Sequence, residues 1–313
     1  MLKGFSGLAI SCCIAVVAIS LSYVHPTFEA LVISIILGML IANILEDRTL
    51  LEKGLDLSIK IFLPVGIALY GTQLIVEKTD TLLVFSVLVT YILIFFSVYF
   101  MSLFFNLRKN TSILLATGMS TCGASAIAIL SPLINADSEE TSISLIAVMI
   151  YGLFGMIFYP LLSDLIGLGI KEFAFLSGTT LPMLGQVKVS ASALGTDCLS
   201  QAVKYKLLRM SFLVFLITFA VFISRGKKGI FVPWFVILFI VLAVSVNVFK
   251  LYKLSKLVEP LSRFSLSIAL ASIGMKVHFD SITESGIKPV AVVFISLFIV
   301  LAALYMIYYI FFI

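Results

Sequence analysis

Long apolar runs separated by short polar breaks dominate this chain. Most runs extend over about twenty residues, the helical length that crosses a hydrocarbon core of about 30 Å. Nearly every charged residue lies in the breaks between runs. The pattern therefore predicts an all-α, polytopic membrane protein. Its predicted transmembrane helices, about eleven, cover residues 4–24, 27–45, 55–76, 81–105, 111–134, 141–166, 173–195, 198–223, 231–249, 256–277 and 287–312.

The composition agrees with a membrane environment. Of 313 residues, 61% are hydrophobic and 12% are charged, whereas soluble domains are about half apolar and a quarter charged. No hydrophilic stretch is long enough for a soluble domain, so residues 1–313 are predicted to form a single membrane domain. The first run follows Lys3 as in a secretory signal, but its length and the lack of a small-x-small cleavage site favour a retained helix.

Several classes of function have no support in the sequence. The net charge of +5 is spread over loops and helix ends, so we expect no nucleic-acid partner. The four cysteines have no metal-binding spacing, and the motifs of intramembrane hydrolases are missing. We therefore expect no enzyme activity, no metal and no cofactor. No Asp or Glu lies near the centre of a predicted span, which disfavours a proton or sodium antiporter built on buried carboxylates.

The distribution of basic residues predicts a cytoplasmic N-terminus in a bacterial inner membrane. On that topology the inside loops contain Arg48, Lys53, Arg108, Lys109, Arg225, Lys227, Lys228, Lys276 and Lys288. Asp137, Glu139 and Glu140 fall outside. Segment 250–263 departs from the rule, because it places four basic residues on the outer side.

Two distant segments, 57–80 and 261–280, resemble each other in sequence. With eleven crossings they run in opposite directions, as inverted-topology repeats require. We therefore predict an extra N-terminal helix, 4–24, followed by repeats 27–166 and 173–312. Chance likeness between two Leu/Ile-rich helices is the alternative.

Two spans are interrupted by small polar residues. Residues 118–126 combine two glycines with Ser and Thr at the middle of an apolar run, and residues 177–182 end in Pro182. A helix can break at mid-membrane only where its freed backbone groups face protein or a water-filled cavity, and a broken helix can offer N–H groups to an anion. Two interrupted spans, one in each half, indicate a transporter site. Close helix packing through small residues is the alternative.

Cations in the membrane spans add a second signal. Lys188, Lys204, Lys206 and Arg209 lie in or near spans 173–195 and 198–223. Ionisable groups in the membrane normally face a cavity or a partner, and no Asp or Glu lies near the centre of a span to pair with these four. An anionic substrate would supply the counter-charge, with Arg209 as the main ligand. The alternative, for Lys204 and Lys206 above all, is that the side chain extends to the membrane interface.

The residues resemble the bacterial UPF0324 membrane proteins, the YeiH-like family named for sulfate export. The likeness covers nearly the whole chain, and its specific parts are the runs Cys122-Gly123-Ala124-Ser125-Ala126 and Lys206-Leu207-Leu208-Arg209. The family is similar in turn to the bile-acid/sodium symporter and sodium/proton antiporter superfamily. That resemblance implies a ten-helix core of two inverted five-helix repeats, with unwound helices crossing at mid-membrane.

This chain departs from the family pattern after the second small-residue segment. The family carries a His and an acidic residue before Ala-Gln-Val, whereas this chain reads Pro182-Met183-Leu184-Gly185-Gln186-Val187. Gln186 and Val187 are kept and the His-acid pair is missing.

Together these features predict a secondary transporter that moves a small anion, such as sulfate or a sulfonate, by alternating access. An anion channel and a non-transporting membrane protein are the alternatives. The expected partners are the substrate anion and membrane lipid. The sequence does not identify a coupling ion. A homodimer is one option for the assembly of the protein. The predicted substrate-binding residues are Ser120, Thr121, Gly123, Ser125, Gly178, Thr179, Thr180, Gln186, Lys188, Lys206 and Arg209.

Overall fold

The computed structural model of the chain describes residues 6–24, 30–44, 49–74, 81–213, 215–216, 234–276 and 287–312. All regular structure in these ranges is helical, with a 3₁₀ turn at Gly71–Gln73. The helices are α1 Ser6–Ser22, α2 Ala30–Ile44, α3 Thr49–Tyr70, α4 Thr81–Phe104, α5 Lys109–Ser120, α6 Ala124–Leu133, α7 Ser138–Ile166, α8 Ile170–Thr180, α9 Leu184–Ser192, α10 Thr196–Ser211, α11 Trp234–Val248, α12 Tyr252–Gly274 and α13 Lys288–Phe312.

Each predicted apolar segment overlaps at least one of these helices, which confirms an all-α membrane protein. Within the described residues, five helical segments are long and apolar enough to cross a bilayer: Leu51–Gln73, Thr81–Phe104, Ser138–Ile166, Tyr252–Gly274 and Lys288–Met306. Several others are apolar but shorter. The number of eleven crossings therefore stays a prediction. The end of the predicted helix 198–223 lies outside the described residues.

The chain divides into two compact units that are interleaved in sequence. Unit one takes its described residues from Met1–Glu77, Ala128–Ser142 and Ser211–Glu284, and unit two from Lys78–Ile127, Ile143–Met210 and Ser285–Ile313. Each unit thus combines segments from both predicted repeats. The predicted division of the chain into an extra helix and two repeats stays a prediction.

In unit one, α12 packs against α1, α2 and α3. Small residues permit this packing, because a Cβ at Gly38 would collide with the backbone of Ala271, and a Cβ at Gly274 would collide with the backbone of Ile35. The core of this contact contains Ile14, Ala42, Leu51, Leu55, Ala271 and Met275.

Helices α3 and α12 of unit one run antiparallel. Asp56, in the first half of α3, pairs with Lys276 after the end of α12. Further along α3, the carbonyl oxygen of Gly66 accepts a hydrogen bond of 2.9 Å from Ser262 Oγ. Ser262 lies in the first half of α12. These two helices carry the sequence likeness that suggested inverted repeats, and such repeats require opposite directions. The repeats themselves stay a prediction.

In unit two, α4 packs against α5, α8 and α13. Ser97 Oγ donates to the carbonyl oxygen of Ser296 at 3.3 Å, and Ser296 Oγ donates to that of Ser97 at 3.4 Å, which ties α4 to α13. A buried apolar cluster joins α7, α8, α9 and α10, and consists of Tyr159, Phe173, Ala174, Leu181, Val187, Ala191, Cys198 and Ala202. This packing holds the second interrupted span against α10, and residues 118–127 of the first interrupted span belong to the same unit.

Candidate functional site

The first predicted interruption is confirmed between α5 and α6. Helix α5 ends at Ser120 and α6 begins at Ala124. The amide of Gly123 bonds to the carbonyl oxygen of Gly118 at 3.0 Å, one residue beyond the helical i to i−4 spacing. Gly123 has φ +68°, in the left-handed region that favours glycine.

The second predicted interruption is confirmed between α8 and α9. Helix α8 ends at Thr180, Leu181 and Met183 are extended, and α9 begins at Leu184. Pro182 favours the break, because it lacks an N–H donor and its ring clashes with the preceding turn of a helix. Gln186 caps the N-terminus of α9, because its Oε1 accepts a hydrogen bond of 3.1 Å from the Met183 amide.

The two interruptions lie side by side in unit two. A Cβ on Gly123 would lie 3.0 Å from Met183 Cγ and 3.3 Å from the carbonyl oxygen of Pro182. Glycine at this position is therefore required twice, by its backbone angle and by the close approach of the second interruption.

Lys206, on α10, extends its side chain to both interruptions. Its Nζ donates to the carbonyl oxygens of Thr121 at 2.7 Å, Leu181 at 2.9 Å and Pro182 at 2.5 Å. The side chain is fully buried. Three acceptors match the three N–H donors of an ammonium group, whereas a neutral amine has only two. The contacts therefore fit a charged Lys206.

Arg209 lies one turn further along α10 and binds the same two interruptions. Its Nε donates to the carbonyl oxygen of Thr121 at 3.1 Å, its Nη2 to that of Leu181 at 2.5 Å, and its Nη1 to that of Thr179. The guanidinium is fully buried. Because α5 and α8 end at these carbonyls, both cations lie at the negative ends of two helix dipoles.

We call this arrangement the cation cluster, defined as Lys206, Arg209 and the backbone of Thr121, Thr179, Leu181 and Pro182. Helices α6 and α9 begin beside it and direct the positive ends of their dipoles inward toward the interruptions. In the described part of unit two, the carboxylates are those of Asp164, Glu172 and Asp197, and none of them is buried. Within the described part of unit two, the cluster therefore has an excess of positive charge, which suits an anion.

Tyrosine hydroxyls extend the polar contacts of the interruptions. Tyr151 and Tyr159 on α7 share a hydrogen bond of 2.6 Å, and Tyr159 shares another of 2.9 Å with Thr180 Oγ1 at the end of α8. Tyr91 on α4 lies close to the side chains of Ser120 and Thr121. Sequence reasoning gave the tyrosines no role, because aromatic residues are common at helix ends. The available signal was that Tyr151 and Tyr159 occur well inside an apolar run.

Most predicted site residues come together here. Thr121, Thr179, Lys206 and Arg209 belong to the cation cluster itself. Next to it lie Ser120, Gly123, Ser125, Thr180 and Gln186, all of them buried or in the two interruptions.

Three details differ from the sequence prediction. Thr121 and Thr179 contribute backbone carbonyls, because their hydroxyls bond to their own helices at 2.6 Å each. Gly178 packs against α10, where a Cβ would lie 2.5 Å from the carbonyl oxygen of Ala202, so here the packing alternative accounts for the glycine. Lys188 has an exposed side chain on α9 and is not brought to the cluster.

Comparison with known proteins identifies the family. A family model described as Conserved hypothetical protein 698 matches residues 6–293. A UPF0324 membrane protein of Archaeoglobus fulgidus is 30% identical over 267 residues, which cover 84% of this chain and 80% of that protein. The chain belongs to the UPF0324 family.

Other UPF0324 proteins cover similar lengths. The inner membrane protein YeiH of Escherichia coli K12 is 29% identical over 84% of this chain and 80% of its own length. A UPF0324 membrane protein of Pseudomonas aeruginosa is 28% identical over 92% of this chain and 88% of its own length. No solved structure matches the chain significantly. The resemblance to the UPF0324 family is thus confirmed, and the chain is a multi-pass membrane protein.

Proposed function

We propose that this UPF0324 protein is a secondary transporter that moves a small anion, such as sulfate or a sulfonate, across the inner membrane of a bacterium. The observation that carries the proposal is the cation cluster. Lys206 and Arg209 are fully buried beside two helix interruptions, and their hydrogen-bond partners are backbone carbonyls.

The energetics of buried charge support an anionic substrate. Carbonyl dipoles offset part of the charge of a buried cation, but they carry no net charge of their own. A charged group in a low-dielectric environment is costly unless an opposite charge accompanies it. Neither cation has a carboxylate partner among the described residues, so an anion with one or two negative charges would lower the free energy of the occupied site.

The two cations have different roles in this proposal. Lys206 uses all three of its N–H donors on carbonyl oxygens and contributes its charge at a distance. Arg209 uses three of its five N–H donors on carbonyls, and its planar fork suits an oxyanion. Backbone N–H groups in the first turns of α6 and α9, beside Ser125 and Leu184, would complete the site.

Alternating access follows from the same architecture. A pair of interrupted spans in the middle of a membrane protein is typical of secondary transporters, in which one bundle moves against another around a central site. We propose that the UPF0324 chain works in this way. The cation cluster is fully buried, so binding from either side of the membrane requires a change of conformation that opens it.

A thermal-shift screen in detergent, followed by flux measurements in proteoliposomes, tests this proposal. We expect sulfate or a related oxyanion to raise the apparent Tm, and we expect saturable uptake of the same anion. Arg209→Gln should remove both effects. Lys204→Met is the matched control, because Lys204 is an exposed cation on the same helix and its loss should leave both effects in place.

Two results would reject the transporter. Flux that rises linearly with anion concentration would favour a channel. No flux, together with no thermal shift for any small anion, would favour a membrane protein that does not transport.

A further inference from the structure

The cation cluster has a consequence for how transport is coupled. We propose that this protein is an obligate exchanger: it returns across the membrane only when its site is loaded with an anion, so every anion moved one way is matched by an anion moved the other way. This inference rests on the proposed function and specifies the coupling of that same site.

The first step is that both cations are fixed to the interruptions. Lys206 and Arg209 make six hydrogen bonds in all to backbone carbonyls of the two interruptions, and these carbonyls belong to the same compact unit as α10. Moving either cation away would break three hydrogen bonds and leave buried carbonyl oxygens with fewer donors. The positive charges therefore stay at the site in every state in which these hydrogen bonds are kept.

The second step is that the cluster cannot lose all of its charge. Arginine remains protonated in proteins, so the Arg209 guanidinium keeps a positive charge in the site, and the three carbonyl acceptors around Lys206 Nζ favour the ammonium form of that side chain. In carriers that return empty, a carboxylate of the site can be neutralised by a proton. Among the described residues of unit two, the carboxylates of Asp164, Glu172 and Asp197 are not buried and cannot serve the cluster in this way.

The third step concerns the closed intermediate through which any alternating-access carrier must pass. Water screens the cations while the site is open to one side, and this screening is lost when the site closes. An empty cluster would then carry its positive charge through a low-dielectric state, whereas a bound anion would travel as part of a nearly neutral pair. The barrier is therefore higher for the empty carrier than for the loaded carrier.

Radiolabelled sulfate uptake into proteoliposomes tests the inference with the full-length protein. One set of vesicles contains unlabelled sulfate, and the other contains an impermeant organic anion at equal ionic strength. We expect the initial rate in sulfate-loaded vesicles to exceed that in the other set by at least about tenfold, since each 1.36 kcal/mol of barrier difference gives a factor of ten. Lys206→Met, which removes one fixed charge, should lower this ratio several-fold, and Lys204→Met should not change it.

The possible outcomes separate the two proposals. Equal uptake into both sets of vesicles would overturn obligate exchange and leave anion transport in place. A large ratio that Lys206→Met leaves unchanged would overturn the role assigned to the fixed charge. If Lys206→Met does not fold, the wild-type ratio still decides. No uptake into either set, with no anion-induced thermal shift, would overturn the proposed function and this inference with it.

Discussion

Lys206 and Arg209 donate hydrogen bonds to the same acceptor, the carbonyl oxygen of Thr121, at 2.7 Å from Nζ and 3.1 Å from Nε. They also share the carbonyl oxygen of Leu181, at 2.9 Å and 2.5 Å. Spaced three residues apart, they lie on one face of α10. One helix thus fixes the ends of two others, so the cluster has both a structural and an electrostatic role.

The first prediction concerns the structural role of Lys206. Lys206→Met keeps most of the apolar stem of the side chain but leaves three buried carbonyl oxygens without this donor, a loss of charge-assisted hydrogen bonds that should destabilise the protein by roughly 3 kcal/mol. For a chain of this size we expect the apparent Tm in detergent to fall by roughly 5–10 °C. Lys204→Met, on the same helix but exposed, should change the Tm by less than about 1–2 °C. Equal Tm values for the two variants would contradict the observed bonding.

The second prediction compares two glycines with almost the same backbone angle. Gly123 has φ +68° and close neighbours in Met183 and Pro182, whereas Gly167 has φ +67° and no atom within 4 Å of the position that a methyl group would take. Gly167→Ala should lower the free energy of unfolding by about 1–2 kcal/mol through backbone strain alone. Gly123→Ala should cost more, because the methyl group also pushes the two interruptions apart.

Denaturation in detergent and anion-induced thermal shifts check this pair of variants. Only Gly123→Ala should also weaken the thermal shift produced by an anion. If the two alanine variants are equally stable and respond equally to anions, the close approach at Gly123 has no energetic importance.

The third prediction concerns the tyrosine hydroxyls. Tyr159→Phe removes the hydroxyl that joins Tyr151 to Thr180, so two buried partners each lose one hydrogen bond. We expect a loss of about 1–3 kcal/mol. Tyr151→Phe removes only the hydrogen bond between the two tyrosines, so it should lower the free energy of unfolding by less. A double-mutant cycle between the two positions should give a coupling energy above about 0.5 kcal/mol, and strict additivity would show that the hydroxyls act independently.

The fourth prediction separates packing from binding at Gly178. A methyl group there would meet the carbonyl oxygen of Ala202 at 2.5 Å and Tyr205 Cβ at 2.9 Å, so Gly178→Ala should destabilise the contact of α8 with α10 by about 1–3 kcal/mol. The folded variant should bind anions with nearly unchanged affinity, measured by calorimetry at a temperature where it is folded. A large loss of affinity with normal stability would place Gly178 in the binding site instead.

The sequence predicted both interruptions because local chemistry encodes them. Gly123 can adopt the positive φ that the first break requires, and Pro182 lacks the hydrogen-bond donor that a continuous helix would use. Burial of Lys206 and Arg209 also had a local signal, since cations inside apolar spans need partners. No local signal identified those partners. Every residue carries a backbone carbonyl, and only the fold brings those of Thr121 and Leu181 to the two cations.

Other features depend on the three-dimensional arrangement alone. Lys188 lies on the exposed side of α9, which its position after Gln186 did not reveal. The hydrogen bond between Tyr159 and Thr180 joins residues that are 21 positions apart on different helices. Likewise, the sequence shows Gly178 only as a small residue in a polar segment, and the structure is needed to show that α10 packs against it. Local composition predicts where a helix breaks, but not which face of it meets a neighbour.

The most direct test of the cation cluster as an anion site is a density map of the protein in lipid nanodiscs with selenate, whose selenium scatters strongly and whose shape matches sulfate. We expect density for one selenate within hydrogen-bond distance, about 3 Å, of the Arg209 guanidinium and beside the first turns of α6 and α9. Arg209→Gln should remove that density. Selenate found only at exposed cations such as Lys188, with the cluster unchanged at saturating concentration, would contradict the assignment of the cluster as the anion site.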